Sequence, residues 1–277
     1  METLDVHLNG ELTDLPNDLP LLEWDLRDDG RDVRARLYRH AHGYQLRIAG
    51  GMTCLVDPRA RTIDLKPDPA ANVWELGLFG LPALLCFTYR GDLALHAAAV
   101  EVNDGAVLFA APGHHGKTTL ALAFHRSGHR VLSEDLACCR LTPEPAILPG
   151  PALLRLRPDM YDGAAPAGTR LVSARRDRIY LELDEARRGA GAPVPIRAIV
   201  LLQESTDGVR LQQIGGVNAL PDLWALSFRI PGDHSLRRNF TQLTDLLTKV
   251  PVWNLRRPLS RASLDLTVAR VLEAFGS

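Results

Sequence analysis

Cysteine is scarce in this chain: Cys54, Cys86, Cys138 and Cys139 are the four among 277 residues, and none of their spacings matches a zinc-ligand pattern. A disulfide-stapled secreted fold and a thiolate metal centre are thereby excluded, and buried free thiols in a reducing cytoplasm are expected. A surplus of one charge is missing too. Lys and Arg number 32 against 33 Asp and Glu, so no global field draws the chain to a nucleic-acid backbone or an anionic membrane. Long apolar runs are also absent, because Leu76–Tyr89 is interrupted by Gly80 and Pro82 and falls short of the ~20 residues that a bilayer span needs. No charged-then-apolar segment opens the sequence. Cytoplasmic location, with neither nucleic acid nor membrane as partner, is the expectation.

What is present is an ordinary globular composition, 46% hydrophobic and 23% charged, long enough for one large domain or two small ones. Between Leu4 and Lys66 the pattern is short alternating runs, Val33–Tyr38, Tyr44–Ile48, Thr53–Val56 and Thr62–Leu65, punctuated by Gly, Asp and Pro. Period two predicts a small antiparallel sheet with one wet face. Pro67-Asp-Pro69 then breaks the chain, and Asn72 to Phe87 reads as a helix. The expected organisation is an α/β (α+β) protein, with residues 1–75 a β-rich unit and 76–277 a second unit of sheet and flanking helices. In that second unit, Leu93–Val102 and Ala106–Ala111 flank Asn103-Asp-Gly105, a hairpin signal. Further strands are predicted over 129–141, 153–157, 179–183, 199–202 and 252–255. Helices are predicted over 218–228, 235–249 and 261–275, with loose links around 163–168 and 187–195.

One short segment turns this outline into chemistry. Ala111-Pro-Gly-His-His-Gly-Lys-Thr-Thr119 lies between the apolar run 106–111 and a helical pattern beginning at Lys117. A strand that ends in a glycine-bearing turn and opens a helix aims several backbone N–H groups, and the positive helix end, at one spot suited to a triphosphate. Gly113, His114, His115, Gly116, Lys117, Thr118 and Thr119 are the expected nucleotide-binding residues. Lys117 reaches the phosphates and the Thr118 hydroxyl holds Mg²⁺. The first place of the usual pattern is glycine, and here it is Ala111, which must adopt a backbone open to a Cβ. The histidines of the loop are expected to bind through their N–H groups with side chains turned away.

Glu134 and Asp135 follow the loop by one helix and one strand, and a parallel strand next to the loop's own would return them beside the phosphates. Asp135 is assigned to the metal and Glu134 to the base that accepts a hydroxyl proton, an order the sequence leaves open. His96, on the strand paired with the loop's own, is a candidate to contact phosphate or tune the site. Arg155, Arg157, Arg175, Arg176 and Arg178 are candidates for a cationic clamp.

These residues together resemble a known family. Leu95-His-Ala-Ala-Ala-Val100, the loop 111–119, Arg126-Ser-Gly-His-Arg130 and Leu132-Ser-Glu-Asp135 are similar to the C-terminal domain of HPr serine kinase/phosphorylase and its kinase relatives. The resemblance covers residues 93–141 by motif and the rest to 258 by layout. It implies a P-loop kinase core, ATP and Mg²⁺ at Lys117 and Thr118, Glu134 at the catalytic aspartate's place, Asp135 at the second carboxylate and His96 at the family histidine. Ala111, His114 and Glu134 depart from the family's Gly, Gly and Asp. The β-rich N-terminus is similar instead to stand-alone relatives encoded with peptide natural products, the lasso-peptide kinases, and that likeness implies a precursor-peptide serine as acceptor. A non-kinase ATPase or nucleotide sensor, and a binding module that has lost catalysis, are the competing readings.

Overall fold

The computed structural model describes residues 5–8, 19–28, 31–48, 53–59, 62–66, 80–184, 191–230 and 233–276. The N-terminal strands are β1 (Asp5–Leu8), β2 (Leu22–Asp28), β3 (Arg31–His40), β4 (Gly43–Ile48), β5 (Thr53–Asp57) and β6 (Thr62–Lys66). They form one sheet in the order β1-β6-β5-β4-β3-β2, antiparallel throughout except that β1 joins β6 in parallel. The alternation seen in the sequence is the alternation of its faces: Cys54, Val56, Ile63 and Leu65 are buried, and the residues between them are partly wet. Helix α1 (Leu81–Arg90) closes the dry face with Leu85 and Cys86. It carries Pro82 in its first turn, where a helix has no partner for the missing N–H, and stops at Gly91 in the left-handed region, φ 97°. The stretch Asn72–Phe79 of the expected helix lies outside the described residues, and the described helix continues past Phe87 to Arg90.

The run 93–102 splits in two. Strand β7 (Leu93–Leu95) pairs with β11, His96 makes a bend, and β8 (Ala97–Val102) pairs with β9 (Gly105–Ala110). The Asn-Asp-Gly hairpin forms as expected, with Asn103 at φ 46° and Asp104 at φ 58°. After α2 (Lys117–Arg126), the expected strand 129–141 also splits, into β10 (Val131–Ser133) and β11 (Ala137–Arg140), with both carboxylates in the break. The element after α2 is not the direct neighbour of β9. Strand β10 pairs antiparallel with β8, so it runs in the same direction as β9 but one strand further out, and its C-terminal end still arrives on the loop side.

The direct parallel partner of β9 comes from much later in the chain. Beyond β12 (Ala146–Leu148) and the three-stranded sheet of β13 (Leu153–Leu156), β14 (Thr169–Ala174) and β15 (Ile179–Leu183), the eleven-residue β16 (Val194–Glu204) lies beside β9. It runs longer than the expected 199–202. After β17 (Arg210–Ile214), α3 (Gly216–Ala225) and α4 (Asp233–Lys249), strand β18 (Val252–Arg257) adds in parallel to β16, and α5 (Leu264–Phe275) ends the described chain. The expected helices 218–228, 235–249 and 261–275 are therefore α3, α4 and α5 with shifted ends, whereas β12, β14 and β17 had no clear period-two signal. Of the loose links, 163–168 forms ordered turns, while 187–190 lies outside the described residues.

The second sheet is buried on both faces. Ala97, Ala99, Leu108, Ala110, Ile199 and Leu201 pack beneath α3 and α4. Ala98, Val100, Val107, Phe109, Val200 and Leu202 pack on the other side against α2, α5 and the inner face of the three-stranded sheet. The molecule is thus α/β: a mixed sheet covered on both sides, accompanied by a small, mostly antiparallel N-terminal sheet.

Candidate active site

Strands β9, β16 and β18 point the same way, so their C-terminal ends share one edge, which is where open α/β sheets hold ligands. The loop 111–116 leaves β9 at that edge and enters α2. Ala111 lies outside the left-handed region, which is how it accommodates its Cβ. His114 lies inside it, at φ 68°, and Gly116 caps α2 at φ 76°. That conformation favours glycine, and a Cβ on Gly116 would also meet Arg257 Nη2 at 2.5 Å, so the guanidinium packs directly over the turn.

Lys117 opens α2 and is 5% exposed. Its ammonium donates to Ala111 O at 2.8 Å, Pro112 O at 3.0 Å and His96 Nε2 at 2.8 Å. All three acceptors are neutral groups, because burial lowers the His96 pKa and keeps that ring uncharged at neutral pH. Burial likewise lowers the pKa of Lys117, whose positive charge is met only at longer range by Asp135 and Glu134. An ammonium without an adjacent carboxylate, at the mouth of a helix N-terminus, is a place prepared for an anion.

The two carboxylates separate by neighbour. Thr118 Oγ1 donates to Glu134 Oε1, and Asp135 Oδ1 lies 3.4 Å from His96 Nδ1. Arg155 on β13 bridges them, Nε to Glu134 Oε2 at 3.0 Å and Nη2 to Asp135 Oδ2 at 3.0 Å. Burial pushes the Glu134 carboxyl above its ordinary 4.5, while the paired carboxylates, Glu134 foremost, hold Arg155 firmly protonated. Glu134 is almost enclosed, at 9% side-chain exposure, whereas Asp135 at 36% faces open space. The ring of His96 sets its edge against Phe228, centroids 5.8 Å apart, which fixes its orientation.

These groups line one cavity of about 490 Å³, a size within the ~300–1,000 Å³ of small-molecule sites. The structure brings together His96, Gly113, His114, Gly116, Lys117, Thr118, Thr119, Glu134 and Asp135 around it. His115 is turned aside, its Nδ1 on Gly113 O at 2.9 Å, but the His114 ring is not, since it meets Arg157 Nη1 at 3.0 Å. Of the arginine candidates, Arg155, Arg157 and Arg178 line the cavity, and Arg175 and Arg176 do not. Two lining arginines escaped the sequence reading, Arg257 and Arg261.

The donor set suits a hard cation. No cluster of three or more His, Cys, Asp or Glu among the described residues could hold a metal by itself. That is the normal condition of Mg²⁺, held by one or two carboxylates with substrate phosphates and water supplying the rest. Thr118 and Glu134, a hydroxyl and a carboxylate in mutual contact, are the groups that could supply the protein's share.

No protein-family model matches the chain, and no curated protein matches it either. Among solved structures it is similar to the Hpr(Ser) kinase/phosphatase from Coxiella burnetii over 66% of this chain and 99% of that chain, at 10% sequence identity and a TM-score of 0.36. A likeness of that order carries no argument about activity. The fold class rests on the strand order above, and the chemistry on the cavity.

Proposed function

We propose that this protein is an ATP-dependent phosphotransferase that moves the terminal phosphoryl group of ATP to a hydroxyl. The observation that carries the reading is the convergence of Lys117, Thr118, Glu134, Asp135 and His96, from three separate segments, on one cavity at the sheet edge. Phosphoryl transfer asks a protein for charge neutralisation and positioning more than for covalent chemistry. The loop N–H groups and Lys117 bind and orient the phosphates. Thr118 and Glu134 would hold Mg²⁺, which when bound neutralises charge on the phosphate oxygens. Asp135, more open and beside His96, faces the side from which an acceptor hydroxyl enters and takes its proton. This exchanges the two carboxylate roles assigned from sequence, and the Thr118–Glu134 hydrogen bond is what supports the exchange. Arg155 holds both acids in place.

The acceptor class rests on the resemblance alone: a serine of a precursor peptide, as in the lasso-peptide kinases. Incubation with γ-labelled ATP, Mg²⁺ and serine-bearing peptides, read by mass spectrometry, should show a gain of about 80 Da, the mass of the phosphoryl group transferred. ATP consumption with no modified acceptor would make the protein an ATPase, and retention of ATP without turnover would make it a sensor.

A further inference from the structure

Arg257 ends β18 at the same sheet edge as the loop, and it is 2% exposed. A guanidinium so enclosed ordinarily has a carboxylate against it, since a buried charge is tolerated only when paired. Arg257 has none. Its hydrogen bonds are three long ones to main-chain carbonyls, Nη1 to Pro258 O at 3.3 Å and Nη2 to His115 O at 3.2 Å and Gly116 O at 3.4 Å. Its buried Nε has no partner. Burial lowers its pKa, with no nearby acid to raise it again. Arg155 makes the contrast plain, because the same cavity wall gives that residue two carboxylates. The missing counter-charge of Arg257 must come from what enters the cavity that it lines.

We propose that Arg257 is a direct ligand of the polyphosphate group, gripping it from the β18 side while Lys117 grips it from α2. The inference rests on the nucleotide reading above and adds to it a second cation that the loop motif does not contain. The guanidinium fork suits two phosphate oxygens at once. Its contacts with His115 O and Gly116 O hold it against the turn of the loop, so its place and the loop's are set together.

Calorimetric titration of ATP and of inorganic tripolyphosphate into the wild-type protein, Arg257→Met and Arg257→Lys tests this. Losing a charge-assisted fork should weaken both ligands roughly tenfold to a hundredfold in Arg257→Met, with a smaller loss in Arg257→Lys. The melting temperature of ligand-free Arg257→Met should be no lower than wild type, because an uncompensated buried charge has gone. Wild-type binding with Arg257→Met within threefold of it overturns the assignment. So does a loss of affinity that comes only with a lowered ligand-free melting temperature, which marks a brace of the loop rather than a ligand. A wild-type protein that binds neither ligand refutes the nucleotide reading itself. Should Arg257→Met not fold, the side-chain Nε–H resonance present in wild type and missing from Arg257→Lys must shift on adding tripolyphosphate, and a stationary resonance overturns the proposal.

Discussion

Among single residues, Glu134 sets enclosure against its charge. Enclosure raises its pKa above 4.5, so the fold favours the protonated form and its contribution to stability is fully present below 4.5 and is lost as pH rises through the elevated value. Glu134→Gln should therefore melt higher than wild type at neutral pH, and the gap should close as pH falls toward 4.5. The same variant should raise the Mg²⁺ concentration needed for turnover, whereas Asp135→Asn should lower transfer by roughly 10²–10⁴-fold, the usual share of a general base, with ATP still bound. Thermal melts across pH and turnover titrated with Mg²⁺ check both. A wild-type protein more stable than Glu134→Gln at pH 7 would show that the ion pair with Arg155 outweighs desolvation.

Among elements, the strand–loop–helix of β9 and α2 is the unit on which everything else is placed. Phe109 and Phe124, both fully buried, stack across that unit with centroids 5.4 Å apart. Phe124→Ala should cost about 3–5 kcal/mol, as aromatic truncations in cores do, and should reduce nucleotide affinity because the helix that presents Lys117 loses its seat; chemical denaturation and calorimetry would read the two effects. This element was readable before the structure because its signals are local: an apolar run, a glycine-bearing turn and a helical period lie within twenty residues. Its neighbours were not. Nothing within residues 129–141 says that β8 stands between β10 and β9, and nothing near β9 says that its parallel partner lies at 194–204, because strand order is fixed by packing between distant segments. The bends at His96 and at Glu134-Asp135 were missed for a related reason. Both runs look continuous by composition, and the chain breaks there because each run serves two different strand partners. Arg257 was invisible as a site residue because its importance lies in what it lacks, an acidic partner, and only three-dimensional surroundings reveal that.

In the molecule as a whole, α1 belongs to two neighbourhoods. Leu85 and Cys86 complete the core of the N-terminal sheet, while the chain runs straight on from α1 into β7 of the second sheet. All four thiols are buried, with Cys54 and Cys139 pushed up to about 12 and Cys86 to about 11 by enclosure. The native protein should be inert to a thiol reagent at neutral pH and should react at four positions once denatured. A fragment of residues 76–277 should expose Cys86 and react at one position while folded; a silent fragment would mean that α1 finds other cover. The position of β18 bears on how the protein is made. It lies between β16 and β17 and brings Arg257 to an edge where His96, Lys117, the two acids and Arg155 all precede it by a hundred residues or more. A ribosome that has already released the loop, the acids and both threonines has still not released the last wall of the pocket. If the cavity takes an anion as proposed above, the nascent polypeptide holds only part of that grip until this late segment threads in beside β16, and competence then trails the first folding of the loop.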